Sequence, residues 1–304
     1  MPELSKEEII KFSEELGFFK IGFASPSVPA ENLTVYQNWL ELGYHATMEY
    51  LRNGLEKRQY LSKVLPGVKT VIMTAFNYYT GEDFKHGELK ISRYAQIRDY
   101  HKFMIQKLKA LARKIKEYAP EAQFRIYSDT GPIMEKALAA KAGIGWQGKN
   151  GIIISKERGS WLFLGTILTT LEFEPDSPAV DSCGTCNICM DSCPTSAIVQ
   201  PGVVNANKCI SYWTTEAPKT GDIPEDIKEN KKGWLYGCDI CQEVCPWNIK
   251  FGKVNPEAVN LRRIKSSYSH KEIMAMDDEK FVEIFTGTPV KRRGIEVLKK
   301  NSLK

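Results

Sequence analysis

The sequence predicts an α+β fold in three parts. These are an α/β domain with an open mixed sheet over residues 1–175, a cysteine-rich domain over residues 176–250, and a short helical, basic segment over residues 251–304. Helical and strand patterns alternate through the first part and close with a hairpin pattern, which favours an open mixed sheet over a doubly wound one. All eight cysteines lie beyond residue 182, and the last fourteen residues carry six basic side chains against one acidic one.

Composition places the chain among globular proteins. Apolar residues make up 42% and charged residues 26% of its 304 residues, close to the averages for soluble domains. These fractions exclude a disordered chain, and the length suits about two domains of roughly 150 residues each. No apolar run reaches the ~18 residues of a membrane span, and the first residues lack the pattern of a secretory signal. We therefore expect a cytoplasmic protein without membrane contact.

The first part opens with a helix. Ser5 and Glu8 have the spacing of a capping box ahead of an amphipathic helix that ends near Gly17. A longer helix is predicted by apolar residues that recur at steps of three and four, namely Met104, Leu108, Leu111, Ile115 and Tyr118. Shorter patterns predict strands at 18–24, 68–79 and 124–128, helices at 34–42 and 133–142, and a hairpin joining 151–155 to 161–170.

The cysteines form two related runs. The first run has the spacing C-x2-C-x2-C-x3-C before Pro194 and consists of Cys183, Cys186, Cys189 and Cys193. The second repeats the end of this pattern before Pro246 and consists of Cys238, Cys241 and Cys245, with Cys209 alone between the runs. Disulfides at this density are not expected in a cytosolic protein. The spacing is that of two-cluster ferredoxins, in which the fourth cysteine of each run binds the other iron–sulfur cluster.

This crossover rule assigns four cysteines to each of two [4Fe-4S] clusters. The first cluster takes Cys183, Cys186, Cys189 and Cys245. The second cluster takes Cys193, Cys238 and Cys241, with Cys209 as the remaining ligand. Two zinc sites of four cysteines each are the alternative. A triple cysteine run that ends in Cys-Pro is not typical of zinc sites, so the pattern favours the clusters.

Three upstream motifs carry candidate chemistry. Asp129 follows the strand predicted at 124–128, where a carboxylate suits acid–base catalysis and partial burial would raise its pKa; alternatively, Asp129 caps the next helix. His101 is either a ligand or a hydrogen-bonded structural residue. Residues 143–148 match G-x-G-x-x-G, but they follow a predicted helix, and this context excludes a dinucleotide site. These glycines either end the helix or let the backbone approach a bulky ligand.

Taken together, the motifs resemble the epoxyqueuosine reductase family. The resemblance runs from the first helix to about residue 298 and rests on the two Cys-Pro runs, Cys209-Ile210-Ser211, Asp129-Thr130-Gly131-Pro132, residues 143–150, Arg98-Asp99-Tyr100-His101 and Glu56-Lys57-Arg58. Members of this family use cobalamin and two [4Fe-4S] clusters to reduce an epoxide on the modified wobble guanine of tRNA, the last step of queuosine synthesis. The resemblance implies a nitroreductase-like cobalamin-binding domain followed by a ferredoxin-like domain, an architecture similar to that of the reductive dehalogenases.

The resemblance also implies roles for single residues. Asp129 matches the proposed proton donor of the family and a cobalamin contact. Other positions that match corrinoid contacts are Arg58, Ser92, Ile153, Leu164 and Ser211. The family binds cobalamin base-off with no protein imidazole beneath the cobalt, so His101 is not expected to be an axial ligand. Iron–sulfur clusters reach potentials as low as roughly −700 mV, and cobalamin supplies two-electron chemistry that no side chain can.

The implied partners are tRNA that carries epoxyqueuosine in the anticodon and a separate low-potential electron donor, and we expect the enzyme to be a monomer. A buried cobalt requires an extruded nucleotide. The aromatic residues Tyr78, Tyr79, Tyr212 and Trp213 are available for stacking on bases, or alternatively belong to the core. The basic tail from Lys291 either contacts phosphates or frays in solvent. Many members of the family continue into a HEAT-like repeat that helps to hold tRNA, whereas this sequence ends at Lys304, which leaves the extent of tRNA contact open.

Three other functions compete with this interpretation. A corrinoid reductive dehalogenase would usually carry a twin-arginine export signal, which this sequence lacks. A non-catalytic two-cluster electron carrier would hold iron and sulfide but no corrinoid. A zinc-stabilised nucleic-acid-binding protein would be colourless.

Overall fold

A computed structural model describes residues 4–85 and 87–303 of the chain. The helices within these residues are α1 (Lys6–Glu15), α2 (Ala30–Glu41), α3 (Leu55–Gln59), α4 (Tyr100–Tyr118), α5 (Glu135–Lys141), α6 (Ile188–Asp191), α7 (Ile210–Thr215), α8 (Glu225–Asn230), α9 (Ile240–Glu243), α10 (Pro246–Phe251), α11 (Pro256–Asn260), α12 (His270–Met274), α13 (Asp278–Phe285) and α14 (Ile295–Ser302). The strands are β1 (Lys20–Ala24), β2 (Thr70–Asn77), β3 (Leu89–Ile91), β4 (Phe124–Tyr127), β5 (Trp146–Gln147), β6 (Ile153–Ile154), β7 (Leu162–Thr169), β8 (Ile198–Gln200), β9 (Val203–Val204), β10 (Trp234–Tyr236) and β11 (Ser267–Tyr268).

Four strands form the central sheet in the order β1-β2-β7-β4. Every neighbouring pair is antiparallel, and Ile72 of β2, for example, lies opposite both Phe23 of β1 and Ile167 of β7. Strand β2 is buried along its whole length, because α1 and α4 cover one face of the sheet and α5 covers the other. The prediction of a mixed sheet is therefore wrong. The connections between neighbouring strands return the chain in the opposite direction instead of forming parallel crossovers.

The predicted hairpin around Gly159 is reduced to one bridge between Ser155 and Gly159. Strand β6 pairs with β5 instead, while β7 lies at the centre of the main sheet. The mistake arises because strand patterns indicate a strand without indicating its partner. Other local predictions are confirmed: Ser5 and Glu8 form the capping box of α1, and Met104, Leu108, Leu111 and Ile115 are buried along α4.

The repeated cysteine pattern folds as a repeated structure. Helix α6 begins within a Cys-x-x-Cys step and ends two residues before Cys193, and α9 stands in the same relation to Cys245. The two short helices pack against each other. Pro246 then starts α10, so the Cys-Pro pair marks the end of one helix and the start of the next. This arrangement brings the two cysteine runs together.

The C-terminal segment packs around a second, smaller sheet. Strand β3 pairs in parallel with β10 and antiparallel with β11, so residues 89–91 of the first part join strands from the later parts. Phe285, Ile295 and Leu298 are buried in the core beside this sheet. The fraying alternative for the tail is therefore wrong, while the domain boundaries near residues 175 and 250 stay predictions. In the part of the chain that the structure describes, no helix is long and apolar enough to cross a membrane.

Candidate active site

The first group of cysteine thiols surrounds Cys189. All eight cysteines are free. Burial raises the pKa of Cys189, and the neighbouring thiols of Cys183, Cys245 and Cys186 raise it further. The indole N–H of Trp146 donates a hydrogen bond to Sγ of Cys183 at 3.3 Å. N–H donors to sulfur are one of the means by which proteins adjust the potential of an iron–sulfur cluster. Cys245 of the second run thus lies with three cysteines of the first.

The second group surrounds Cys241. Burial raises the pKa of Cys241 far above its usual value, and Cys209 raises it most among the neighbouring thiols, followed by Cys189 and Cys193. Cys238 is also buried with a raised pKa, and its thiol neighbours are Cys209 and Cys241. The appearance of Cys189 beside Cys241 shows that the two groups adjoin. Cys193, Cys209 and Cys238 thus lie near Cys241, while the two ligand sets of the crossover rule stay a prediction.

The chemistry of this donor set fits iron–sulfur clusters. Metals bind the thiolate form of cysteine, and a metal centre would offset both the burial and the neighbouring thiols that raise the pKa values of these cysteines. Within residues 4–85 and 87–303, no three His, Cys, Asp or Glu side chains converge closely enough to hold a single metal ion. In a [4Fe-4S] cluster, each of the four cysteines binds a different iron.

A cavity of about 740 Å³ is connected to the second thiol group through Lys136, which lines the cavity and whose pKa is influenced by Cys241. This volume is in the upper part of the range of ligand pockets, about 300–1,000 Å³. The walls come from α2, the segment 129–137, the turn at 202–204, and Arg292 of the C-terminal segment. On the wall, burial lowers the pKa of Lys136, while the nearby charges of Asp129, Cys241 and Glu135 raise it. Near this wall, Asn150 Nδ2 donates to the backbone carbonyl of Cys241 at 3.4 Å.

A second groove, of about 790 Å³, lies in the C-terminal segment and is lined by residues between Arg262 and Ile284. It contains none of the candidate site residues. We therefore place the site in the cavity beside the thiols.

Asp129 presents its carboxylate to this cavity, with 62% of the side chain exposed. The residue has φ +66, a left-handed conformation that is uncommon outside glycine and often marks a functional position. Its Oδ2 accepts a hydrogen bond from the Tyr100 hydroxyl at 2.5 Å and lies 3.4 Å from Nε2 of His101. Helix α5 begins six residues later with Met134 as its N-cap. The alternative in which Asp129 caps this helix is therefore wrong.

The charges around Asp129 differ from those expected from the sequence. The protein around the cavity reduces the solvation of Asp129, which acts to raise its pKa, but hydrogen bonds from His101 and Tyr100 outweigh this effect, and the pKa is lowered. The expectation of a raised pKa is thus wrong. Hydrogen bonds to Asp129 and Asp99 raise the pKa of His101 to about 9. Burial and the nearby Asp129 charge raise the pKa of Glu135 to about 8. These pKa values indicate that at neutral pH His101 and Glu135 are protonated, whereas Asp129 is a carboxylate.

Two of the predicted cobalamin contacts, Arg58 and Asp129, line the cavity. Arg58 is 7% exposed, and its Nη1 donates to the carbonyls of Gly131 and Ile133 at 3.2 and 3.3 Å. These bonds hold the turn that follows Asp129. The Nε of Arg58 is buried and has no hydrogen-bond partner among the described residues. The guanidinium thus retains one buried, unused donor.

The other four predicted contacts lie outside the cavity lining. Ser92 is buried, and its hydroxyl donates to the Asp239 carboxylate. Ile153 belongs to the core beneath the sheet, and Leu164 packs against that core. Ser211 lies in α7, where its carbonyl accepts a hydrogen bond from the Thr215 hydroxyl.

The aromatic residues proposed for base stacking are mostly structural. Tyr78 and Tyr212 are only 4% and 5% exposed, so they are core residues, which was the alternative to base stacking. Tyr79 stacks on the Trp161 ring, with centroids 5.7 Å apart. The indole N–H of Trp213 donates to the Asn207 carbonyl. The aromatic side chains that do line the cavity are Tyr36, Trp39, Tyr50, Tyr94, Tyr100 and Tyr236.

The basic tail is only partly available for a partner. Arg293 is buried and donates to the Ala217 carbonyl at 2.7 Å. Arg292 pairs with Glu216, and both line the cavity. Lys300 pairs with Asp222 at 2.8 Å. Lys291 is exposed and is the sequence neighbour of Arg292.

The sequence did not indicate Glu135 or Lys136. Both belong to a helix whose periodicity gave no sign of a charged cavity wall. The chain reversal at Gly131 brings them beside Asp129, and a Cβ at Gly131 would lie 2.5 Å from the Tyr127 ring. The other glycine motif has a structural use, since Gly143, with φ +71, ends α5, and a Cβ at Gly145 would meet the Ile154 carbonyl oxygen at 2.2 Å.

Two family signatures match the chain. The one described as "Epoxyqueuosine reductase QueG, DUF1730" covers residues 58–130. The other, a "4Fe-4S double cluster binding domain", covers residues 182–248. The first contains Arg58, Ser92, His101 and Asp129, and the second contains all eight cysteines.

Relatives match over nearly the whole chain. An epoxyqueuosine reductase of Atelocyanobacterium thalassa is 40% identical over 97% of this chain and 97% of its own length. One from Synechocystis is 47% identical over 75% of this chain and 83% of its own. A crystal structure of epoxyqueuosine reductase with an epoxyqueuosine-modified tRNA-Tyr stem loop has a TM-score of 0.89 and 30% identity, and the match covers 98% of this chain and 79% of that one.

A more distant structural likeness concerns the fold alone. A reductive dehalogenase, whose structure suggests a mechanism for B12-dependent dehalogenation, has a TM-score of 0.50 and 14% identity, covering 100% of this chain and 40% of that one. The matches at 47% identity over 75% of the chain and at 40% identity over 97% of the chain are to epoxyqueuosine reductases. The chain belongs to the epoxyqueuosine reductase family.

Proposed function

We propose that this protein reduces epoxyqueuosine to queuosine at the wobble position of tRNA anticodons. Conversion of the epoxide to an alkene consumes two electrons and two protons and releases one water. The observation that carries the proposal is the open carboxylate of Asp129 in a cavity that adjoins the Cys241 thiol group. Electron delivery and proton delivery thus meet in one place.

The eight cysteines would hold two [4Fe-4S] clusters in the sets Cys183, Cys186, Cys189, Cys245 and Cys193, Cys209, Cys238, Cys241. Two features support this assignment: the spatial grouping of the thiols and the match to a double-cluster domain. The second cluster would lie next to the cavity wall at Lys136. Electrons from a low-potential donor would therefore reach the cavity through these clusters, one at a time.

The cavity residues fit cobalamin. The volume is that of a large ligand site, and the buried Nε of Arg58 lacks a partner among the described residues. Gly151 and Gly202 line the cavity without side chains, so backbone can approach a flat ring there. Bound base-off, cobalamin would supply the two-electron nucleophile for the reaction. Arg58 would contact it directly, while Ser92, Ile153, Leu164 and Ser211 would support its surroundings from outside the lining.

Asp129 would place its carboxyl group at the epoxide oxygen and protonate that oxygen as the ring opens. Tyr100 orients the carboxylate through its 2.5 Å hydrogen bond. A buried site also requires the modified base to leave the anticodon stack. Lys291 is exposed and is the sequence neighbour of Arg292, which lines the cavity; this cation would contact the phosphates of the loop. We propose that the enzyme acts as a monomer on this tRNA.

The alternatives have weaker support. An electron carrier has no use for an open carboxylate in a large cavity. A dehalogenase shares the fold, but the full-length matches are to epoxyqueuosine reductases.

The test is conversion of the substrate in vitro. Anaerobically reconstituted protein is incubated with corrinoid, a strong reductant and tRNA that contains epoxyqueuosine, and the anticodon nucleosides are analysed by mass spectrometry. We expect queuosine to replace epoxyqueuosine only when both the clusters and the corrinoid are present. Unchanged epoxyqueuosine with fully loaded protein would contradict the proposal.

A further inference from the structure

The imidazole of His101 bridges two carboxylates. Nδ1 lies 2.8 Å from Oδ1 of Asp99, and Nε2 lies 3.4 Å from Oδ2 of Asp129. Asp99 is also the N-cap of α4, and the same Oδ1 accepts the backbone N–H of His101 at 3.1 Å. The ring stacks on Tyr100, with centroids 4.1 Å apart. The first turn of α4 therefore fixes both the position and the orientation of the imidazole.

This arrangement selects the protonated ring. A neutral imidazole has one N–H donor and one acceptor nitrogen, whereas the imidazolium donates from both nitrogens. A carboxylate can only accept, so two carboxylates at the two ring nitrogens are both satisfied only by the imidazolium. The raised pKa of His101, about 9, agrees with this geometry.

Asp129 by contrast lacks a proton of its own in the resting site. Its Oδ2 accepts from Tyr100 and faces His101, and both contacts favour the carboxylate form. An acid that protonates the epoxide oxygen must therefore first receive a proton. Of the groups that contact Asp129 through a side chain, His101 is the one that is charged at neutral pH.

We infer that His101 is the proton source of Asp129 and positions it for catalysis, with Asp99 holding the imidazole in place; this inference rests on the proposed function. As the epoxide C–O bond breaks, the proton on Nε2 of His101 passes to the Asp129 carboxylate. The Asp129 carboxyl group then protonates the oxygen. The electron pair from the cluster-fed reduction goes to the epoxide carbon, while the C–O bonding pair stays on the oxygen, which becomes a hydroxyl group. The second proton, which is needed when this hydroxyl group leaves as water, comes from solvent. His101 is left neutral, with its Nδ1–H donated to Asp99, and Asp129 returns to the carboxylate. Solvent reprotonates His101 before the next turnover.

Several charged groups surround this relay. At the start of α4 they are the N-cap Asp99, Tyr100, and Lys102, which follows His101 in the sequence. From the segment after β4 they are Asp129, Glu135 and Lys136, and from the C-terminal segment Arg292 faces Tyr100. The protonated state of His101 depends mainly on the two carboxylates in direct contact with it, so the Asp99→Asn variant is the most selective perturbation. Asparagine also preserves the N-cap of α4.

The first test is the pH profile of turnover. Wild-type kcat falls as pH rises through the His101 pKa, about 9. His101→Gln retains a hydrogen-bonding group but holds no transferable proton. We expect it to lower kcat by about 10²-fold or more and to abolish this alkaline limb, with corrinoid uptake and KM for tRNA little changed. Asp99→Asn is expected to move the limb to lower pH. A wild-type profile in His101→Gln would overturn the inference.

The second test does not depend on activity. The holoenzyme has four histidines, His45, His86, His101 and His270, and isotope labelling of histidine allows their titration by NMR. We expect one imidazole to titrate near pH 9, to be absent from His101→Gln and to titrate at lower pH in Asp99→Asn. If no imidazole titrates above neutral pH, the inference fails even where wild-type conversion of tRNA succeeds. If wild type converts no tRNA at all, the proposed function fails and the titration still reports on His101.

Discussion

The hydroxyl of Tyr100 lies 2.5 Å from the carboxylate of Asp129, although 29 positions separate them in the chain. Tyr100 is the first residue of α4, and Asp129 follows β4, so the start of a helix meets the end of a strand at the cavity. The Tyr100 ring is stacked on Phe163 of β7, with centroids 4.4 Å apart. The central sheet thus fixes the tyrosine, and the tyrosine fixes a carboxylate whose backbone conformation is itself unusual.

Asp129→Asn should lower turnover by about 10²- to 10⁴-fold, the range of general acid–base catalysis. The amide is close in size to the carboxyl group but cannot carry its proton. Single-turnover conversion of tRNA, measured with corrinoid bound, checks this prediction. Asp226→Asn, at an exposed position on α8, is the matched control and should keep full activity. Full turnover in Asp129→Asn would show that another group is the acid.

Glu135→Gln should change how stability depends on pH. Burial and the Asp129 charge raise the Glu135 pKa from 4.5 to about 8, so the folded protein binds a proton that the unfolded chain releases between these values. Stability contributed by this proton is complete below about pH 4.5 and is lost as pH rises through 8. Glutamine resembles the protonated form at every pH. The Tm of the variant should therefore match wild type near pH 5 and exceed it above pH 8, and an equal Tm difference at both ends would refute the assignment.

The crossover of cysteine ligands predicts which cluster each variant loses. Cys245→Ser should remove the cluster held by the first run, and Cys193→Ser should remove the cluster held by the second. Each variant should retain about four of the eight irons. Because the second thiol group adjoins the cavity, electron paramagnetic resonance should show the cavity-side cluster retained in Cys245→Ser. If Cys245→Ser instead lost the signal of the cluster nearer the cavity, Cys245 would belong to the second cluster, and the predicted crossover would be wrong.

Lys291→Glu should weaken binding to the anticodon stem loop and flatten its salt dependence. One phosphate contact changes the slope of log K against log salt by about 0.9 on a duplex. Deletion of the tail is unsuitable, because Ile295 and Leu298 are buried in the core. Lys116→Glu, exposed near the far end of α4, has the same charge change and is the control. Equal effects of the two variants would mean that only net charge matters.

The chemistry was more predictable from the sequence than the topology was. Cysteine spacing is a local property, and the predicted grouping of Cys245 with the first run agrees with the spatial arrangement of the thiols. Helix α4 was also predictable because its buried residues recur with helical periodicity. The sheet was not predictable in this way, because pairing between β2 and β7 joins residues some ninety positions apart and strand patterns carry no information on partners.

In the candidate site too, local features were predictable from the sequence, whereas features that depend on long-range packing were not. Asp129 was indicated by its place at a strand end, but the direction of its pKa was not, because that depends on His101 and Tyr100 from a different element. Tyr78 and Tyr212 looked available for stacking, yet their burial depends on long-range packing. Glu135 and Arg292 reach the cavity only because the chain folds back on itself there.

Corrinoid uptake tests the central claim most directly, namely that the two clusters serve a cobalt centre in the Asp129 cavity. The measurement is anaerobic reconstitution to about eight irons per chain, followed by titration with cob(II)alamin and detection by electron paramagnetic resonance. We predict one corrinoid per chain in the base-off form, and a changed cobalt signal in Arg58→Ala. Protein that holds both clusters and never binds a corrinoid would contradict the account.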